Sequence, residues 1–240
     1  KFDHLVIETT GLADPAPVIQ TFFVDEDVQL HTHLDAVVTV VDAKHIQLHW
    51  DADEAQEQIA FAETILINKT DLVTVVELDE LERKIRSMNA MAKIYRTENA
   101  QVGMDAVLEV GGFDLSHALT IDPDFLGEEA HVHDESVKSV ALVLSGAMDI
   151  NKINNWLSDL LPNQGPNIFR MKGILNIYGQ DRRFVLQGVH MLMDGKPDRE
   201  WRVDEQRKNE LVFIGRDLDE AKLRADFTKC LATGIGFGKK

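Results

Sequence analysis

The chain has 240 residues, 44% hydrophobic and 28% charged, enough for one large or two modest folded domains and against disorder. With 41 acidic against 25 basic residues the formal net charge is −16, a field that repels nucleic-acid phosphates and anionic lipid, so neither is an expected partner. No apolar run approaches the ~20 residues of a membrane-spanning helix, and the single cysteine, Cys230, allows no intrachain disulfide, as expected in a reducing compartment such as the cytoplasm.

The chain opens KFDHLVIETTG, without an initiator methionine or a signal-type segment, and is expected to continue upstream, where any organelle address would lie. Residues 4–8, HLVIE, read as a short buried strand, and Pro15 and Pro17 follow where the first turn of a helix tolerates proline. LDAVVTVVDA, 34–43, is β-branched without a polar break, which predicts a strand covered on both faces. A helix is expected through EAQEQIAFAE, then a strand in TILIN. In ELDELERKIRSMNAM the residues Leu78, Leu81, Ile85 and Met88 recur at three- and four-residue spacing, one face of a helix. KIYRT, 93–97, reads as a fourth strand and VGMDAVLEV as a further helix. This alternation predicts an α/β fold, a parallel sheet doubly wound with helices, over residues 1–120.

Residues 121–136, IDPDFLGEEAHVHDES, lack an apolar period and read as a linker. Beyond them, 137–232 predicts a smaller α+β domain, one sheet with one face covered by two helices. VKSVALVLSG opens it as a strand, and Ile153, Trp156, Leu157, Leu160 and Leu161 mark a helix with Asp149 as N-cap. NIFRMKGILNIYG, RRFVLQGVHMLM and ELVFIG are three strand candidates, and a last helix places Leu223, Phe227 and Leu231 on one face. The glycine-rich residues 233–240 read as a loose tail.

Two stretches carry chemistry. NKTD, 68–71, ends a strand, where open α/β sheets place ligands. The Asp71 carboxylate there can accept from both N1–H and N2–H₂ of guanine; adenine offers neither donor and would leave it unpaired, which makes the choice sharp. The Lys69 stem can lie along the base, and Asn68 can tie the loop and meet the ring edge. The competing reading is a helix N-cap loop, Thr70–Asp71 before LVTVVELDE, and the two are compatible. In VIETTGLADP, 6–15, an apolar strand runs into Glu8, a candidate acid near magnesium, and Gly11, whose N–H can reach a γ-phosphate. The alternative is a strand-to-helix turn that uses glycine for its backbone freedom. The pairs His31/His33, His45/His49 and His131/His133 read as exposed polar residues rather than ligands, and Cys230 as a thiol packed like a small hydrophobe.

Together ETTGLADP at 8–15, VVTVVDA at 37–43, INKTDL at 67–72 and, later, LSGAMD, MKGIL, QGVH and LVFIG resemble the CobW family of GTP-dependent metal chaperones, within the P-loop GTPases. The resemblance covers nearly the whole chain. It implies a P-loop-type sheet, here incomplete, binding of GTP or GDP with magnesium, and slow GTP hydrolysis. It further implies delivery of zinc, or cobalt in cobalamin-related members, to a client metalloprotein, with the second domain as interaction module; a homodimer stays open. Two family features are absent from residues 1–240, the Gly-Lys-Ser/Thr phosphate loop and a Cys-x-Cys-Cys metal motif. Hydrolysis by this chain alone is therefore expected to be poor, and no metal ligand is assigned in it. The alternative expectation is a non-hydrolysing docking module or paralogue whose acidic surface engages a basic client.

Overall fold

A computed structural model describes residues 3–9, 11–112, 137–189 and 192–232. In the first part, α1 (Ala16–Val24) starts behind Pro15, and α2 (Glu26–His31) is capped by Asp25, whose side chain accepts from the Val28 N–H. Then β1 (Val38–Asp42), α3 (Asp53–Phe61), β2 (Thr64–Asn68), α4 (Val75–Met88) and β3 (Lys93–Arg96) alternate along the chain. The strands form a parallel sheet in the order β1-β2-β3, registered so that Asp42 lies beside Asn68. Their carboxyl ends, and the loops that follow, are thereby gathered at one edge. The stripe Leu78, Leu81, Ile85 and Met88 is buried as its spacing predicts, and joins α1, α3 and β2 in one core.

Four expectations are corrected. HLVIE, 4–8, is no strand: it pairs with none of β1–β3, and Leu5, Val6 and Ile7 are exposed. Apolar content permits burial, but a strand also needs a ladder partner, and this exposed segment has none among the described residues. The run 34–43 forms a strand only over Val38–Asp42, and Val40 is 57% exposed, so β1 is covered on one face while β2 is covered on both. VGMDAVLEV gives one 3₁₀ turn, Met104–Ala106, because so short a run is bracketed by extended Gly103 and by Glu109 at φ +55°. RRFVLQGVHMLM divides into two antiparallel strands, paired from Val189 against Leu192. The linker 121–136 with His131 and His133, His190, and the tail 233–240 lie outside the described residues.

The second part comprises β4 (Val137–Ser145), α5 (Ile150–Gln164), β5 (Ile168–Asn176), β6 (Arg182–Val189), β7 (Leu192–Glu200), β8 (Lys208–Arg216) and α6 (Glu220–Lys229). Its antiparallel sheet runs β4-β8-β5-β6-β7. Asp149 caps α5 by accepting from the N–H groups of Asn151 and Lys152. Both helices pack on one sheet face, where Trp156 meets Phe213 and Phe227 at centroid distances of 6.1 and 5.5 Å. In the connection between β7 and β8, Glu205 accepts from both Arg199 terminal nitrogens, at 2.7 and 2.9 Å, and from the Arg202 N–H. The Arg199 hydrogen bonds hold its carboxyl at about 2, below the ordinary 4.5. A depressed carboxyl contributes stability that is complete above its unfolded value and lost as pH falls through the folded one. Glu205→Gln is therefore expected to lower the melting temperature near neutral pH, by a difference that shrinks as pH falls from 4.5 toward about 2; melts showing the same difference at both ends would contradict this.

The two parts share a core. Val137, Phe169, Val189 and Ile214 of the second sheet belong to the cluster built on α3, α4 and β2, with Phe61 and Phe169 at 6.0 Å. The Ser139 hydroxyl donates to the Met88 carbonyl at 2.8 Å and accepts from the Ala90 N–H at 3.2 Å. Arg170, 2% exposed, donates to the Phe61 carbonyl at 2.7 Å and pairs with Glu63, whose other oxygen accepts from the Val37 N–H at 2.7 Å. Burial pushes the Arg170 guanidinium down to about 9, and the Phe61 carbonyl and Glu63 help keep a charge there tolerable.

Candidate nucleotide site

The site grows from the ends of three strands. Asn68 closes β2, and its side-chain oxygen accepts from the Ala100 N–H at 2.8 Å and from the Thr97 hydroxyl at 3.2 Å. Thr70 donates to the Thr97 carbonyl through its N–H at 3.3 Å and its hydroxyl at 3.1 Å. The loop after β2 is thus stitched to the loop after β3. There Asn99 and Ala100 sit in succession at φ +50° and +54°, which turns the backbone sharply toward Asn68.

Lys69 is also left-handed, at φ +63°, a conformation costing a side-chain-bearing residue roughly 1 kcal/mol or more. Its ammonium donates to Asp42 Oδ2 at 2.6 Å. Asp42 accepts further at Oδ1 from the N–H groups of Lys44, 2.9 Å, and His45, 3.0 Å, and meets His45 Nδ1 at 3.1 Å. Desolvation works to raise the Asp42 pKa, but the hydrogen bonds from Lys69 and His45 and from the backbone outweigh it and hold the carboxyl well below the usual carboxylate range. Asp71 lies in a 3₁₀ turn, Thr70–Leu72, exposed, its carboxylate accepting no hydrogen bond among the described residues. The cap of α4 is Thr74, in a reciprocal box with Glu77, so Thr70 and Asp71 do not serve as the helix cap.

On the other side of the sheet's sequence, Gly11 has φ +61° and open space where a Cβ would stand, so the backbone turn rather than close contact requires glycine there. Gln58 of α3 donates to the carbonyls of Gly11 and Ala13, at 3.2 and 2.9 Å, and Asp14 accepts from the Ala16 N–H at the start of α1. Glu8 lies in the exposed, unpaired segment before this turn. The structure therefore unites Asn68, Lys69 and Asp71 in one loop, while no hydrogen bond among the described residues joins Glu8 or Gly11 to it.

Sequence reasoning missed Asp42, Thr97, Ala100 and Gln58. The aspartate ending VVTVVD was the one available signal, since a polar residue closing a strand beside NKTD in register is a candidate neighbour. His45 turns to Asp42, and His31 meets the Asp27 carbonyl of its own helix at 2.8 Å. Among the described residues no three His, Cys, Asp or Glu side chains form a group able to hold a metal. Cys230 is buried as expected, with burial pushing its thiol up to about 11. A groove of about 460 Å³ lined by Trp156, Lys222 and Cys230 lies between α5 and α6, and none of Asn68, Lys69, Asp71, Glu8 or Gly11 lines it.

Residues 1–96 match the family model for the CobW/HypB/UreG nucleotide-binding domain, and residues 137–231 that for the cobalamin synthesis protein cobW C-terminal domain. The zinc chaperone YjiA of Escherichia coli (strain K12) is 34% identical over 235 residues, 95% of this chain and 70% of that protein. The zinc-regulated GTPase metalloprotein activator 1 of Saccharomyces cerevisiae is 25% identical over 274 residues, 96% of this chain and 63% of the yeast protein. The crystal structure of Zn(II)-bound YjiA GTPase from E. coli superposes with a TM-score of 0.81 at 30% identity, covering 97% of this chain and 72% of that one.

Proposed function

The chain belongs to the CobW family, and from that premise we propose that it serves as a guanine-nucleotide-dependent zinc chaperone, in which binding and slow hydrolysis of GTP with magnesium gate the transfer of zinc to a client metalloprotein. The carrying observation is the loop at the carboxyl ends of β1 and β2. There Asn68 and Lys69 are fixed by neighbours, and the Asp71 carboxylate stands free for a ligand. A carboxylate presented this way fits the paired N1–H and N2–H₂ donors of guanine and not the edge of adenine. The names of the relatives, zinc chaperone and zinc-regulated GTPase activator, support zinc as cargo and GTP as the nucleotide.

The base-reading residues fit a guanine nucleotide. For the phosphates, Glu8 and Gly11 of VIETTG are the residues assigned to magnesium and the γ-phosphate. The Gly11 turn, held by Gln58, can present its N–H to a phosphate oxygen, and Glu8 can hold a magnesium-bound water. Magnesium, when bound, would neutralise the charge developing on the phosphates. Zinc is substrate here, and the second domain is assigned the client contact. Calorimetric titration of the magnesium complexes of GTP, GDP and ATP into this chain tests the reading. Guanine nucleotides are expected to bind more tightly than ATP; equal affinities would remove the nucleotide assignment.

A further inference from the structure

Lys69 of the NKTD loop points away from the loop's own turn. Its left-handed backbone sends the side chain toward β1, where the ammonium ends on Asp42. An isolated pair of half-exposed charges would hold such a chain only weakly. This acceptor, however, is itself held by other donors. Asp42 is the last residue of β1, paired in register with Asn68, and the Ala43 N–H continues that pairing by donating to the Asn68 carbonyl at 2.9 Å. Two backbone N–H groups and the His45 ring hold the carboxylate in one orientation before Lys69 reaches it. The lysine stem is consequently stretched between two fixed points, its own left-handed Cα and the Asp42 oxygen.

We propose that Asp42 is a positioning residue for guanine-nucleotide recognition: it holds the Lys69 stem across the carboxyl ends of β1 and β2, so that the four methylenes form a standing wall for the flat base. The proposal rests on the nucleotide reading above and adds Asp42 to it. A lysine free to swing would have to be ordered at each binding event, and ordering one rotamer-rich side chain weakens binding by up to about tenfold. Because its ammonium is neutralised by Asp42, Lys69 acts on the base through its stem, and its charge is not directed at the phosphates.

Asp42→Asn retains an oxygen for the two backbone N–H groups and removes the charge that holds Lys69. Affinity for a fluorescent GDP analogue is expected to fall about tenfold in this variant of the full chain. Lys69→Met is expected to lose a similar factor, and the double variant no more than the larger single loss, because both substitutions remove one device. Losses that multiply, or an Asp42→Asn protein that binds as the wild type does, would overturn the proposal. Should Asp42→Asn melt early, Lys69→Met decides alone, since Lys69 is exposed and Asp42 keeps its other donors: wild-type affinity there also overturns it. A wild-type chain without guanine preference would instead bring down the nucleotide reading itself, whereas guanine preference with an indifferent Asp42 removes only the role of Asp42.

Discussion

Replacing Asp71 by alanine is expected to reduce the preference for guanine over adenine nucleotides by about a hundredfold, while leaving the melting temperature unchanged. The two halves of that expectation come from the same geometry. Asp71 is exposed in the 3₁₀ turn and accepts no internal hydrogen bond among the described residues, so its removal breaks nothing in the fold. Toward a bound guanine it would accept two hydrogen bonds to a charged group. Each of these is worth roughly 1.5–3 kcal/mol when shielded, and solvent at this open loop reduces the pair to the lower end of their combined range. Competition of GDP and ADP against a fluorescent nucleotide measures the ratio directly. An Asp71→Ala protein with an undiminished ratio would place base recognition elsewhere.

Arg170→Ala is expected to destabilise the protein by about 3–5 kcal/mol, because it takes the nearer of two cations from a buried carboxylate and leaves it Lys172 Nζ at 3.7 Å. At this chain length that is a fall of roughly 10 °C in melting temperature. Glu63 and Arg170 are both nearly inaccessible, and they join the two parts of the molecule across 107 residues of sequence. Glu63 immediately precedes β2, and its second oxygen holds the Val37 N–H just before β1. The pair thus clamps the amino ends of the two strands whose carboxyl ends carry Asp42 and the NKTD loop. A compensating pair, Glu63→Leu with Arg170→Met, is expected to recover much of the loss, since a packed apolar contact replaces a buried ion pair at little net change. Thermal melts of the single and double variants check this; an Arg170→Ala protein within about 1 kcal/mol of wild type would show that Lys172 or water takes over at Glu63.

What the sequence made legible followed periodicity and chemistry of short range. The stripe on α4, the TILIN strand and the Asp149 cap of α5 each express a local rule, and each stands where that rule puts it. NKTD could be read because its residue types and its place after an apolar strand are both local facts. The rest was decided by partners distant in sequence or by backbone angles that composition does not encode. HLVIE has strand composition, but no neighbouring strand among the described residues closes its ladder. Leu192–Glu200 contains Gly195 and Pro197 and still forms a strand, because it lies at the sheet edge, where a missing N–H is tolerated. Left-handed Lys69, Asn99 and Ala100 carry no glycine to announce their turns, so the stitching of the β2 and β3 loops stayed hidden. The Asp42–Lys69 and Glu63–Arg170 pairs likewise required the register of the sheets.

The measurement that reaches the central claim most directly is the base preference of Asp71→Asn. An amide presents a donor where the carboxylate presented an acceptor, so it suits the 2-carbonyl of xanthine and repels the 2-amino group of guanine. Xanthosine diphosphate is expected to outcompete GDP on the variant, and GDP to outcompete xanthosine diphosphate on the wild type. A variant that weakens both nucleotides equally, or neither, would contradict the reading that Asp71 faces the 2-position of a bound guanine.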